Sequence, residues 1–234
     1  MQFLVYNETM GILYIVATPI GNLKDITLRA VEVLKEVDLI VCEDTRQTLK
    51  LLNHYQISKP LTSYFQHSKL AKIDYIAQQL KQGKKVALVT DAGTPGISDP
   101  GGKLVELITN HLPLITISPI PGPNAAVAAL SVSGFPADKF IFMGFPPHKK
   151  GREKFFREVA EAKYTVVFYE STHRILKTLQ QIKAVLSPDR HLVVCRELTK
   201  QFESIYRGTS EEILKILESD KNNIKGEFVL IIGK

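Results

Sequence analysis

The residues best placed to do chemistry lie in one stretch, 84–102 (KKVALVTDAGTPGISDPGG). The apolar run 86–90 reads as a buried strand, with Gly83 before it and a turn-rich loop after it. Asp91 closes that strand, and Gly93, Pro95, Gly96, Pro100, Gly101 and Gly102 follow. Glycine lets backbone approach a ligand closely, and proline keeps such a loop stiff. A carboxylate at a strand end beside a loop of this kind suits a polar small molecule, a plain chain reversal being the other use. Two nucleotide loops are excluded: no Gly-Lys-Ser/Thr ending follows the glycines, and the GxGxxG spacing is missing.

Two similar loops precede and follow it. A strand at 11–17 runs into 18–22 (TPIGN), and a strand at 114–118 runs into 119–124 (PIPGPN). Between them, Leu28, Val31, Leu34 and Val37 recur at helical spacing, with Asp25 placed to cap that helix. Residues 38–42 form a strand ending in Glu43 and Asp44, and helices are expected to about His54, over 69–82 and near 103–110. This alternation predicts a mostly parallel, covered sheet, with ligands beyond the carboxyl ends of its strands. Three rigid loops at one edge would make a backbone-lined cleft, with a second domain as its opposite wall.

The second half begins with a small-residue helix at 125–130, with Pro123 in its first turn and an end at 134–136. Strands are expected at 139–143, 164–169, 191–197, 203–208 and 226–232, the third and fourth of these pairing as a hairpin. A basic loop at 146–152 leads into a helix to about Ala162. The run 170–174 opens another helix with Ser171 or Thr172 as cap, and Thr209 with Glu212 forms a capping box. The division expected is an arm at 1–10, one α/β domain at 11–120 and a second at 121–234.

Composition is that of an ordinary globular chain: 234 residues, 44% hydrophobic and 23% charged. No run is long enough for a membrane span, and the start lacks the basic and apolar segments of a signal peptide. Met10 directly precedes the first strand, so the residues before it read as an arm or a start-site extension. A net charge of +6 favours a polyanionic partner. Cys42 and Cys195 lie inside apolar runs, as small core residues do in a reducing compartment, and no spacing predicts a metal site.

Five ordered runs, 18–27 (TPIGNLKDIT), 42–46 (CEDTR), 89–101 (VTDAGTPGISDPG), 119–124 (PIPGPN) and 168–174 (FYESTHR), resemble one known family. It is the bacterial small-subunit ribosomal RNA 2′-O-methyltransferase I family, of the tetrapyrrole-methylase fold class. The likeness extends from Gly11 to Gly233. It implies two α/β domains with S-adenosylmethionine in the cleft between them, a cytoplasmic homodimer, and methyl transfer to the ribose 2′-oxygen of a cytidine in 16S ribosomal RNA near the decoding centre. Members usually continue into a helical extension after a strand like 226–232, whereas this sequence stops at Lys234.

Read with that family, the cofactor set is Pro19, Asp91, Gly93, Gly96, Ile97, Ser118 and Pro119, with Tyr169, Leu198 and Glu227 on the far side by resemblance. A ribose hydroxyl needs a base within hydrogen-bond reach. Asp44, Glu170, Glu197 and Lys200 are candidates by position, and His173 as an imidazole, a side-chain type used as a general base. Arg46, Lys149, Lys150, Arg152, Arg174 and Arg196 are candidate phosphate contacts. Phe65, His67 and Phe145 could stack a splayed base, core packing being the alternative for the two phenylalanines. Two other functions fit the same pattern: methylation of a tetrapyrrole precursor, and a non-catalytic RNA-binding module for ribosome assembly.

Overall fold

The computed structural model describes residues 11–65 and 70–234. The expected arm at 1–10 and the candidate His67 lie outside the described residues. The chain forms two units, the first ending at Pro123 and the second spanning Asn124–Lys234.

The first unit contains β1 (Ile12–Val16), α1 (Leu28–Glu36), β2 (Leu39–Cys42), α2 (Thr45–His54), β3 (Leu61–Ser63), α3 (Leu70–Lys81), β4 (Lys85–Leu88), α4 (Gly101–His111) and β5 (Thr116–Ile120). The five strands are parallel in the order β3-β2-β4-β1-β5. Both faces are covered. Val86 and Leu88 pack with Ile76 and Leu80 of α3 and Leu104 and Ile108 of α4. Ala87 turns the other way, to Leu34 of α1 and Leu52 of α2. A strand buried on both faces has no polar alternation, which is why this segment reads as an unbroken apolar run.

Strand order determines where the loops diverge. After β1 the chain crosses to β2, on the far side of β4; after β4 it crosses to β5, on the far side of β1. The adjacent pair β1/β4 is therefore a switch point, where loops leaving the carboxyl ends open a crevice.

The second unit contains α5 (Ala125–Ser133), β6 (Phe140–Phe142), α6 (Arg152–Glu161), β7 (Thr165–Ser171), α7 (Ile175–Val185), β8 (His191–Arg196), β9 (Ser204–Thr209), α8 (Ser210–Ser219) and β10 (Glu227–Ile232). Its sheet order is β6-β7-β10-β8-β9; β6 and β7 are parallel and the other pairs antiparallel. Phe156, Phe168, Leu179, Ile213 and Phe228 pack one face under α6, α7 and α8. On the other face Ala126, Ala129 and Leu130 of α5 meet Val167, Val193 and Ile231. Small residues let this helix lie close to the sheet. Cys42 and Cys195 are both fully buried, and desolvation pushes the Cys195 thiol up to about 12.

Several local expectations need correction. Thr27, not Asp25, caps α1 by accepting from the Ala30 amide, while Asp25 ends a 3-10 turn at Leu23–Asp25. Asn124 caps α5, so Pro123 precedes the helix. Neither Ser171 nor Thr172 caps α7; Ser171 still belongs to β7 and the cap position is Arg174. The strand expected at 114–118 is shifted to Thr116–Ile120. Pro119 therefore sits inside a strand, which its edge position permits. β3 carries too short and polar a segment to read as a strand at all.

Candidate active site

The first-unit site is built on the carboxyl edge of β4, β1 and β5. The loops after these strands are tied to each other by backbone. Thr18 and Gly93 exchange both amide hydrogen bonds, at 2.9 and 3.1 Å. The Thr18 hydroxyl donates to the Thr90 carbonyl at 3.1 Å, and the Thr94 hydroxyl to the Pro123 carbonyl at 3.0 Å. Gly122 lies so close to β1 that a Cβ there would stand 2.8 Å from the Ala17 Cβ. Gly93, at φ +87°, makes the turn that brings these loops together. A rim held this way is set before any ligand arrives.

Its peptide groups are less bare than the glycine content suggests. The Gly93 amide and carbonyl both bond Thr18, and the Gly96 and Gly101 amides both donate to Asp99 Oδ1 at 2.7 Å. Gly93 and Gly96 thus shape the rim rather than donate from it. Side chains open to solvent there are Asp91, Pro119 and Ile97, the last 44% exposed. Ser118 is half-buried in β5, and Pro19 is buried beneath the rim.

Four carboxylates gather beside it. Asp91 Oδ1 accepts the Asp44 amide at 3.2 Å, pinning the β2–α2 turn to the end of β4. Partial desolvation raises the Asp91 pKa; the Asp44 charge adds to this, while the Asp44 amide and Arg46 oppose it. Glu43 is raised too, by desolvation and then by Asp91 and Asp99, against a hydrogen bond to Thr90. Asp44 goes the other way. It caps α2 and grips Arg46 through both oxygens, with a closest contact of 2.6 Å, which holds its carboxyl at about 2.

In the second unit, Tyr169, Leu198 and Glu227 gather where β7 and β8 end and β10 begins. Tyr169 packs edge-on against Phe142 and Phe145, and its hydroxyl accepts the Ala126 amide at 3.2 Å. Burial raises the phenol's pKa, partly offset by that amide. Leu198 sits between two non-glycine residues in left-handed conformation, Glu197 (φ 50°) and Thr199 (φ 65°). Strain of this kind persists only where surroundings enforce it. Here Lys200 binds Glu197 and Glu227, each at 2.8 Å, and the Glu197 and Glu227 backbones are hydrogen-bonded across the strands. Gly226 leaves the space that the Glu197 side chain fills.

Residues 12–214 match the model of the tetrapyrrole (corrin/porphyrin) methylases. The chain belongs to that family. Relatives named ribosomal RNA small subunit methyltransferase I are 48% identical in Haemophilus influenzae, over 96% of this chain and 79% of the relative, and 47% in Escherichia coli O157:H7, over 97% and 79%. The relative of that name from Thermotoga maritima is 46% identical over 96% of this chain and 99% of its own length. Among solved structures, the methyltransferase CobJ superposes with a TM-score of 0.70 at 19% identity, covering 96% of this chain and 94% of that one. Uroporphyrin-III C-methyltransferase from Thermus thermophilus, complexed with S-adenyl homocysteine, gives 0.65 at 17% identity, covering 96% and 98%. Both show the tetrapyrrole methylase fold in this chain.

Against that family, several sequence-derived site residues are placed differently than expected. Glu170 is 2% exposed and saturated: it accepts from Ser171 and Thr178 and pairs with Arg174 at 2.7 Å and Arg152 at 3.6 Å. Both of its oxygens are thus engaged within the protein and shielded from a substrate. Arg152 and Arg196 are 4% and 8% exposed. Arg196 donates to the Lys225 and Phe202 carbonyls, and Arg174 to the Pro146 carbonyl, so these three arginines hold the protein rather than face solvent. Burial opposes ionisation of Glu197, but Lys200, the Glu227 amide and Arg196 outweigh it and hold the carboxyl low. Burial also opposes the Lys200 charge, yet Glu197 and Glu227 outweigh it and keep the amine protonated. Arg46, Lys149, Lys150 and His173 are exposed. Phe65 and Phe145, 48% and 50% exposed, are not core residues.

Sequence reasoning passed over Glu43. It is exposed, its charged neighbours are all acids, and it stands beside the rim. Its signal was the position directly after a fully buried strand, the same signal that singled out Asp44. Among the described residues, no group of three or more His, Cys, Asp or Glu side chains could hold a metal ion, and no helix is long and apolar enough to cross a membrane.

Proposed function

We propose that this chain transfers a methyl group from S-adenosylmethionine to the ribose 2′-oxygen of a cytidine in 16S ribosomal RNA near the decoding centre. The observation that carries the reading is identity of 46–48% along at least 96% of the chain with relatives named for small-subunit ribosomal RNA methylation. The proposed cellular setting is the cytoplasm and the proposed assembly a homodimer, both following from the family resemblance.

The rim fits the cofactor by its chemistry. Asp91 offers a carboxylate to ribose hydroxyls or an ammonium, Ile97 an exposed apolar surface to an adenine ring, and Ser118 and Pro119 line the β5 side. Tyr169, Leu198 and Glu227 are the proposed second-unit contacts. When bound, S-adenosylmethionine supplies a methyl group activated by its sulfonium. The protein's part is orientation and removal of a proton.

Among Glu43, Asp44, Glu170, Glu197 and Lys200, Glu43 suits that removal best. Asp44 is too weak a base, Glu170 is buried with both oxygens engaged, Glu197 is ion-paired, and Lys200 is protonated. We assign Glu43 to accept the 2′-hydroxyl proton. Lys149, Lys150 and Arg46 are the proposed phosphate contacts, with Phe65 and Phe145 as stacking surfaces.

A second reading, methylation of a tetrapyrrole precursor, draws support from the family's name and from the similarity to uroporphyrin-III C-methyltransferase. Incubating the protein with labelled cofactor and either unmethylated small subunits or uroporphyrinogen separates the two. Label on ribose supports the proposal; label on the porphyrinoid alone overturns it.

A further inference from the structure

The FYESTHR run contributes more than Tyr169. Glu170 stands between two arginines from different helix starts: Arg174 Nε at 2.7 Å from Oε1 and Arg152 Nη2 at 3.6 Å from Oε2. The Thr178 hydroxyl donates to Glu170 at 2.6 Å and accepts from Arg152 at 2.5 Å, while Arg152 Nε donates to Gln181 at 2.7 Å. Each arginine then reaches the same loop: Arg174 Nη1 donates to the Pro146 carbonyl at 2.9 Å, and Arg152 Nη1 to the Pro147 carbonyl at 3.1 Å. The loop is also fixed at its ends, by the Tyr169 amide on the Gly144 carbonyl and the Arg152 amide on the Lys149 carbonyl. What this loop presents outward is Phe145, His148, Lys149 and Lys150, all exposed.

We infer that the buried Arg152–Glu170–Arg174 cluster is a positioning device that presets the 144–151 loop as a docking edge for an RNA strand, with Lys149 and Lys150 on phosphates and Phe145 against a base.

The inference rests on the RNA reading above. Charge favours a polyanion. Two guanidiniums share one carboxylate, so the cluster keeps an excess positive charge beneath a loop that carries two more. Buried charges are costly unless paired and hydrogen-bonded, and here nearly every polar atom of the cluster is. Fixing a loop beforehand lowers the ordering cost of binding.

Glu170→Gln discriminates positioning from simple charge. It keeps the shape and adds one net positive charge, so a pure charge effect would tighten RNA binding. Release of the loop would loosen it. The assay is fluorescence anisotropy with a labelled decoding-region 16S RNA fragment across a salt series, with calorimetry for S-adenosylmethionine in parallel. The expected result is about 5- to 20-fold weaker RNA binding with cofactor affinity retained, and a change below about 2-fold when Lys149 and Lys150 are already alanine, since coupled residues are non-additive. Tighter or unchanged RNA binding, or an equal loss in the alanine background, overturns the inference. If Glu170→Gln does not fold, Thr178→Val, which retains all three charges, must weaken RNA binding in the same way. Wild-type protein that fails to bind the RNA overturns both this inference and the RNA reading, whereas binding that ignores Glu170 overturns only the former.

Discussion

Replacing Asp91 by asparagine separates two roles of one side chain. In the native chain, Oδ1 accepts the Asp44 amide at 3.2 Å, and the rest of the carboxylate is open to solvent. Asparagine keeps an acceptor for that amide and removes the charge. A hydrogen bond to a charged group contributes roughly 1.5–3 kcal/mol and a neutral one roughly 0.5–1.5. At an exposed position the difference lies near the low end, about 1–1.4 kcal/mol, or roughly 5- to 10-fold in Kd. Stability should move oppositely. Desolvation and the Asp44 charge raise the Asp91 pKa above 3.8, so the folded state holds this proton more tightly than the unfolded chain. A raised carboxylate pKa contributes stability below the unfolded value, and that contribution is lost as pH rises through the folded pKa. At neutral pH the charge is therefore a burden on the fold, and asparagine should leave the urea midpoint equal or higher. Calorimetry with S-adenosylmethionine and urea unfolding at pH 7 test both halves. Unchanged affinity removes Asp91 from the site. Weaker affinity with a lower midpoint refutes the division of roles, because the loss is then structural.

Glu43→Gln should lower kcat by about 10²- to 10⁴-fold with little change in KM, as loss of a general base does. In the native enzyme, activity should rise with pH through a value above the ordinary glutamate range, because desolvation and then Asp91 and Asp99 raise that pKa; a single-turnover pH profile without such a limb removes Glu43 from the role. Lys149→Ala with Lys150→Ala should weaken RNA binding and reduce the magnitude of the salt slope by about 2, one per phosphate contact; an unchanged slope makes the loop plain surface. Gly122→Ala forces a Cβ to 2.8 Å from the Ala17 Cβ. Overpacking of this kind costs about 1–3 kcal/mol, read from thermal or urea unfolding, and a variant as stable as the parent would show that the β5 loop yields freely.

The parallel sheet and its loop edge were legible because buried strands and Gly/Pro turns leave strong local patterns. Val86 to Val89 and the loops at Thr18 and Gly93 are read directly from residue type. Caps were less legible: Thr27, Asn124 and Arg174 take positions that the nearby Asp25, Pro123 and Ser171 equally suggest, and only backbone geometry decides. Charge roles were the least legible. Arg152 and Lys149 share one basic run and Arg174 lies in a later run, alike by residue type, yet the two arginines turn inward to Glu170 because α6 and α7 pack against the same sheet. Glu43 and Asp44 are neighbours with opposite pKa shifts, since only Asp44 meets Arg46 closely.

The most direct test is transfer of a labelled methyl group from S-adenosylmethionine to small ribosomal subunits lacking the modification, followed by nucleoside mapping. The account predicts a single labelled nucleoside, 2′-O-methylcytidine, in 16S RNA. Label on a base, or none on RNA from a protein that binds the cofactor, would contradict it.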